Sequence, residues 1–186
     1  MLCSPELNDG QQQFKSEDAV GLTNIVSPAV KDKKSTYPSV ALGRVTNGLL
    51  SNEYDCAIAL LEDDFSFVSQ LCGSNADPNG LLDVDQSHVD KLITLRSVGR
   101  TSGKMAGRLL SVNASCNINY KIGDEWTIVE MTGLICSDMA SQPGDSGAPV
   151  YDKQNRIVGM IIANTESYTY ILPAQKIFSK LAITLT

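Results

Sequence analysis

The feature that most restricts how these 186 residues can fold is a succession of short β-branched or aliphatic runs cut by turn chemistry. Val40-Ala41-Leu42-Gly43-Arg44-Val45 stands before Asn47-Gly48, and similar runs follow at Ala57–Leu61, Leu92–Val98, Arg108–Val112, Thr127–Thr132, Ala148–Tyr151, Ile157–Asn164 and Tyr168–Leu172. Asn79-Gly80, Gly123-Asp124 and Pro143-Gly144 punctuate them, and Lys153-Gln154-Asn155 is expected to close a hairpin. Runs of strand length between turns predict an antiparallel sandwich or barrel, not βαβ units. One helix is expected, after Pro173, where Ile177, Phe178 and Leu181 fall on one side at helical spacing.

Composition narrows the function classes. The formal charge is −6 and no run of Lys or Arg is present, which argues against nucleic-acid or anionic-membrane partners. No uninterrupted apolar stretch of about 18 residues suggests a membrane span, and Met1–Gly10 has neither the basic nor the apolar region of a secretory leader. The acid is concentrated: Glu62–Asp90 holds seven of the 21 Asp and Glu and no Lys or Arg. That stretch reads as a solvated loop, and its Asp spacing does not fit an EF-hand. Cys3, Cys56, Cys72, Cys116 and Cys136, with a single His, form no zinc pattern and are expected to be mostly free thiols. No cofactor or metal is implied. The sequon Asn113-Ala114-Ser115 is expected to be an unmodified turn, Cys56 a core cysteine, and Trp126 a residue packed on the sheet.

The sharpest local signal is Gln142-Pro143-Gly144-Asp145-Ser146-Gly147-Ala148-Pro149-Val150. A serine between glycines, in a tight turn leading into a strand, can expose its hydroxyl and free backbone N–H groups, which suits an acyl-transfer nucleophile with an oxyanion hole. The α/β-hydrolase elbow does not fit, because position 148 is Ala and a strand, not a helix, is expected to follow.

The stretch Gly144–Val150 resembles the nucleophile motif of the chymotrypsin/trypsin-like serine peptidases. Asn52-Glu53-Tyr54-Asp55-Cys56-Ala57-Ile58-Ala59-Leu60-Leu61 looks like that family's catalytic-Asp segment. Val98-Gly99-Arg100-Thr101-Ser102-Gly103 with Gly107-Arg108-Leu109 is similar to the opening of its second barrel, and Ile157-Val158-Gly159-Met160-Ile161 to its cleft-lining strand. The resemblance implies an all-β, chymotrypsin-like double antiparallel β-barrel with a C-terminal helix. It divides the chain into a flexible polar arm at 1–19, a partial first barrel with the acidic connector at 20–90, and the second barrel with the helix at 91–186. It further implies Ser146 as nucleophile, Gly144 and Ser146 as oxyanion-hole donors, and Asp55 as the carboxylate that orients the base. Ala140, Ile161, Ala163 and Asn164 would form the substrate pocket. With no acid at its floor, that pocket is expected to take a small or aliphatic side chain, with the Ala163-Asn164 edge pairing with an extended peptide.

The departure from the family pattern is the base. No His precedes Asp55, and His88 lies in the acidic connector, where a solvated linker residue is expected. Gly21-Leu22-Thr23-Asn24-Ile25-Val26 looks like the run leading to the family's catalytic His, yet aliphatic residues follow Asn24 directly. The first barrel is therefore expected to be incomplete. Two readings follow: a trypsin-like serine endopeptidase acting through Ser146 if the missing His is supplied, or a pseudoprotease that binds a peptide or protein. An incomplete barrel leaves an open strand edge, which calls for an edge-strand partner or a dimer.

Overall fold

The computed structural model describes residues 7–8, 11–14, 24–27, 40–63, 68–74, 76–122 and 125–185. Eleven strands and two helices are assigned: β1 Leu7–Asn8, β2 Gln11–Phe14, β3 Asn24–Ser27, β4 Val40–Leu50, β5 Asp55–Leu61, α1 Gln86–Asp90, β6 Thr94–Gly99, β7 Gly103–Ile122, β8 Glu125–Ser137, β9 Pro149–Tyr151, β10 Ile157–Asn164, β11 Thr169–Pro173 and α2 Ala174–Leu181. The chain divides into two compact units. One holds residues 1–51, 55–67 and 119–127, and the other residues 52–54, 68–118 and 128–186.

In the second unit β10-β11-β8-β7-β6-β9 closes into a barrel. Leu95, Leu109, Ile135, Met139, Val150, Val158, Ile161 and Ile171 fill it, all essentially inaccessible. Each of the six strands turns at least one of them inward and Met139 joins them just beyond β8, so one face of the closed sheet is filled. Closure falls to β6 and β9, through Arg96 opposite Tyr151 and Ser97 opposite Val150. The hairpin expected at Lys153-Gln154-Asn155 joins β9 to β10, and Asn155 takes φ 62 in its turn. α2 covers the predicted span: Pro173 opens it and Ala182, at φ 51, ends it. Residues 52–54 dock on this unit, where Asn52 O accepts from Thr132 N and Lys180 lies over the Tyr54 ring.

In the first unit β4 is the shared partner of β2, β3 and β5 in a five-stranded sheet that does not close among the described residues. Three differences from the sequence reading stand out. Asn47-Gly48 is no turn; β4 runs through it with a bulge between Val45 and Asn47, and Gly48 pairs with Ala57 and with Phe14. Gly43 is required in this strand because a Cβ there would collide with the Leu60 carbonyl. The start of the chain, expected to be a loose arm, contributes β1 and β2, because the edge of β4 accepts any extended segment regardless of polarity. Asn113 lies exposed within β7, not in a turn. The turn expected at Gly123-Asp124, residues 21–23 and Cys3 lie outside the described residues. The other four cysteines form no disulfide among the described residues, and Cys56 and Cys136 are buried. Among the described residues no helix is long and apolar enough to cross a membrane.

Candidate functional site

The Ser146 loop is anchored at both ends within the second unit. Before it, Thr169 Oγ1 on β11 donates to Met139 O. A hydroxyl has one proton, so the 2.6 Å contact between Ser141 and Thr169 has Ser141 as donor. After it, Gly147 N donates to Ile161 O at 2.8 Å and Ile161 N to Ala148 O at 3.0 Å, which ties the loop to β10.

Asp145 holds the middle. It is 1% exposed, and its carboxylate accepts from Thr101 N (2.7 Å), Ser102 N (3.1 Å) and Gln142 N (2.9 Å). Burial alone would push this carboxyl up; the Ser102 hydroxyl and the three backbone donors outweigh it and bring the pKa to about 2. Gly99 makes room, since a Cβ there would strike the carboxylate. Gly144 and Gly147 turn the chain at φ 104 and 91, conformations that L side chains rarely adopt.

Ser146 emerges exposed from this frame. Among the described residues its hydroxyl has no hydrogen-bond partner, and neither its N–H nor that of Gly144 donates to a protein acceptor. Backbone donors held in this way can receive negative charge without reorganising.

Asp55 opens β5 in the first unit, half-buried, and accepts a 2.7 Å hydrogen bond from the Tyr120 hydroxyl. Burial raises its pKa, and the phenol partly offsets the rise. Cys56, its neighbour, is 6% exposed and faces inward, as period two requires. His88 is used locally. Its ring Nδ1 lies 2.7 Å from Asp85 Oδ1, and the two residues form the capping box of α1.

Of the pocket candidates, Ala140 is exposed, and Ala163 and Asn164 are half-buried on β10. Ile161 is 1% exposed and belongs to the barrel core, so its side chain adds no accessible surface. β9 extends only to Pro149 opposite Met160, so beyond Ile161 the β10 edge away from β11 has no strand beside it among the described residues. Nor do three or more His, Cys, Asp or Glu side chains gather there as a metal set would.

Two contributors escaped the sequence reading. Tyr120 was detectable only as the end of an alternation in β7, where Ala114, Cys116, Ile118 and Tyr120 share the more buried face. The backbone of Thr101 and Ser102, which fixes Asp145, left no mark in side-chain chemistry. Trp126, expected to pack on the sheet, is 70% exposed beside Ile128 at 67%, because the start of β8 turns that face to solvent.

No family model and no curated protein matches the chain. Solved structures do. The chymotrypsin of Cellulomonas bogoriensis aligns with TM-score 0.64 and 16% identity, over 100% of this chain and 89% of that one. Thermobifida fusca protease A gives 0.62 and 16% over 100% and 90%. A glutamic-acid-specific serine protease, described as using a histidine triad in substrate binding, gives 0.64 and 18% over 99% and 93%.

Proposed function

Because this chain has the fold of the chymotrypsin-like serine proteases, we propose that it is a serine-protease-like protein that binds extended peptides without cleaving them. The observation that carries this reading is the bond between Asp55 and Tyr120. The carboxylate that would orient a base is engaged by a phenol, and the single His of the 186 residues is tied to Asp85. A serine without a base is a poor nucleophile. Loss of the base in subtilisin costs ~10⁶ in kcat. The peptide would add a strand along Ala163-Asn164, with backbone hydrogen bonds giving affinity and a small or aliphatic side chain entering beside Ala140. Among the described residues β5 pairs only with β4, and its other edge, near the 65% exposed Leu60, is a candidate for pairing with a second copy.

The test is mass spectrometry after incubation with a fluorophosphonate, which labels a serine activated by a base. The folded protein is expected to remain unlabelled. A single adduct on Ser146 would overturn the proposal in favour of a second reading, a serine endopeptidase whose His comes from outside these residues. The exposed, unpartnered Ser146 favours that second reading. Under either reading, a peptide library enriched after Lys or Arg would refute the pocket assignment.

A further inference from the structure

The second unit carries a cationic cavity that plays no part in the serine loop. Arg96 on β6, Lys104 on β7 and Lys153 in the β9–β10 turn line it together with Gly73, Ser74, Tyr151 and Asn155; its volume is about 550 Å³, and no Asp or Glu contributes to its wall. In a chain of formal charge −6 this is an unusual concentration of positive charge.

Of the other described cations, Arg44 pairs with Glu62, Arg108 with Asp138, Arg156 with Asp152 and Lys176 with Glu53, while Lys180 rests on Tyr54. Arg96, Lys104 and Lys153 have no ion-pair partner among the described residues. Like charges repel unless an anion sits between them, so their convergence is unfavourable in an empty site. The wall is built, not incidental. The 71–76 turn closes on itself through Leu71 and Ala76, and Tyr151, 4% exposed, donates its hydroxyl to Cys72 O at 3.2 Å. Gly73 lets that turn sit against Val98 and the Lys104 stem, where a Cβ would crowd both.

We propose that this cavity binds a phosphate group, free or carried on a small phosphorylated molecule. Guanidinium and ammonium donors together suit a tetrahedral dianion: the Arg fork engages two oxygens, and each Lys acts as a mobile point charge. The volume admits a ligand larger than one phosphate.

Isothermal titration calorimetry of the full chain with inorganic phosphate and with ribose 5-phosphate tests this. Saturable binding is expected, weakened about tenfold or more in Lys104→Gln/Lys153→Gln and again in Arg96→Gln, since each charged hydrogen bond carries on the order of tenfold in affinity. Lys91→Gln, an exposed lysine outside the cavity, leaves it unchanged. All three ligating side chains are exposed, so the variants keep the wild-type unfolding temperature. Tighter binding of the sugar phosphate assigns a phosphoester ligand, and equal or weaker binding assigns free phosphate. No saturable heat with either probe, or equal affinity in the double variant, overturns the proposal.

Discussion

Tyr120 reaches Asp55 across 65 residues of sequence and donates to its Oδ2 at 2.7 Å. The phenol is placed by the alternation of β7, which presents every second side chain to the same face. Asp55 is placed by the start of β5, opposite Leu50. A half-buried carboxylate must find a donor, and here it finds a neutral one, which satisfies the oxygen without supplying a cation.

Tyr120→Phe removes that donor. At pH 7 the variant is expected to lose about 1–3 kcal/mol, the cost of leaving a buried acceptor unpaired. The loss should be smaller at pH 3.5, where Asp55 is protonated and less in need of a donor. Urea unfolding at both values checks this; an equal loss at the two would show that the bond to Asp55 is not what Tyr120 contributes.

Asp55 itself gives a pH signature of opposite sign to most carboxylates. Its folded pKa lies above 3.8, so the native state keeps the proton longer than the unfolded chain. The associated stability is complete below pH 3.8 and declines as pH rises through the folded pKa. Asp55→Asn abolishes the decline, so its stability relative to wild type should rise between pH 3.5 and pH 7. A constant difference would refute the assignment.

Asp145 behaves in the ordinary direction. With its pKa lowered to about 2, it stabilises above 3.8 and loses that contribution as pH falls toward 2. Asp145→Asn should destabilise by about 2 kcal/mol at pH 7. Gly99→Ala should act through the same carboxylate, because its methyl group would occupy the carboxylate's place. Thermal unfolding of the two single variants and the double variant, with strongly non-additive losses expected, tests that they share one mechanism.

Ser146→Ala should change stability by no more than about 0.5 kcal/mol, since the side chain is exposed and makes no hydrogen bond among the described residues. A larger loss in denaturant titration would show that the hydroxyl is structural.

Trp126 is the single tryptophan and is 70% exposed. Its emission should already be that of a solvated indole in the native protein, and acrylamide should quench it nearly as well as it quenches the unfolded chain. A blue-shifted, protected emission would mean that another surface covers it.

The sequence made the barrel legible because its signals are local. β10 and α2 lie where the runs and Pro173 placed them, and the turn at Lys153-Gln154-Asn155 joins the expected strands. Asn47-Gly48 misled because a turn dipeptide can also occupy a strand that bulges. β1 and β2 were illegible because their pairing reflects what β4 leaves open, not their own pattern. At the candidate site, Ser146 and Asp55 stood out by motif. The groups that hold them, Tyr120 and the amides of Thr101 and Ser102, are defined by distances across 43 to 65 residues that no local spacing encodes.

The carboxylate of Asp145 also has a kinetic meaning. Its bonds to Thr101 and Ser102 join segments more than 40 residues apart, so they form only after the entropy of a long loop has been overcome. The β6–β7 hairpin, whose pairs run from Gly99–Gly103 outward, is local and is expected to pair before them. Weakening the Asp145 bonds should then speed unfolding and leave the rate of folding nearly untouched, which folding and unfolding rates of Asp145→Asn across denaturant would show. On that expectation the serine turn sets how long the native barrel lasts, and the hairpin how quickly it is reached.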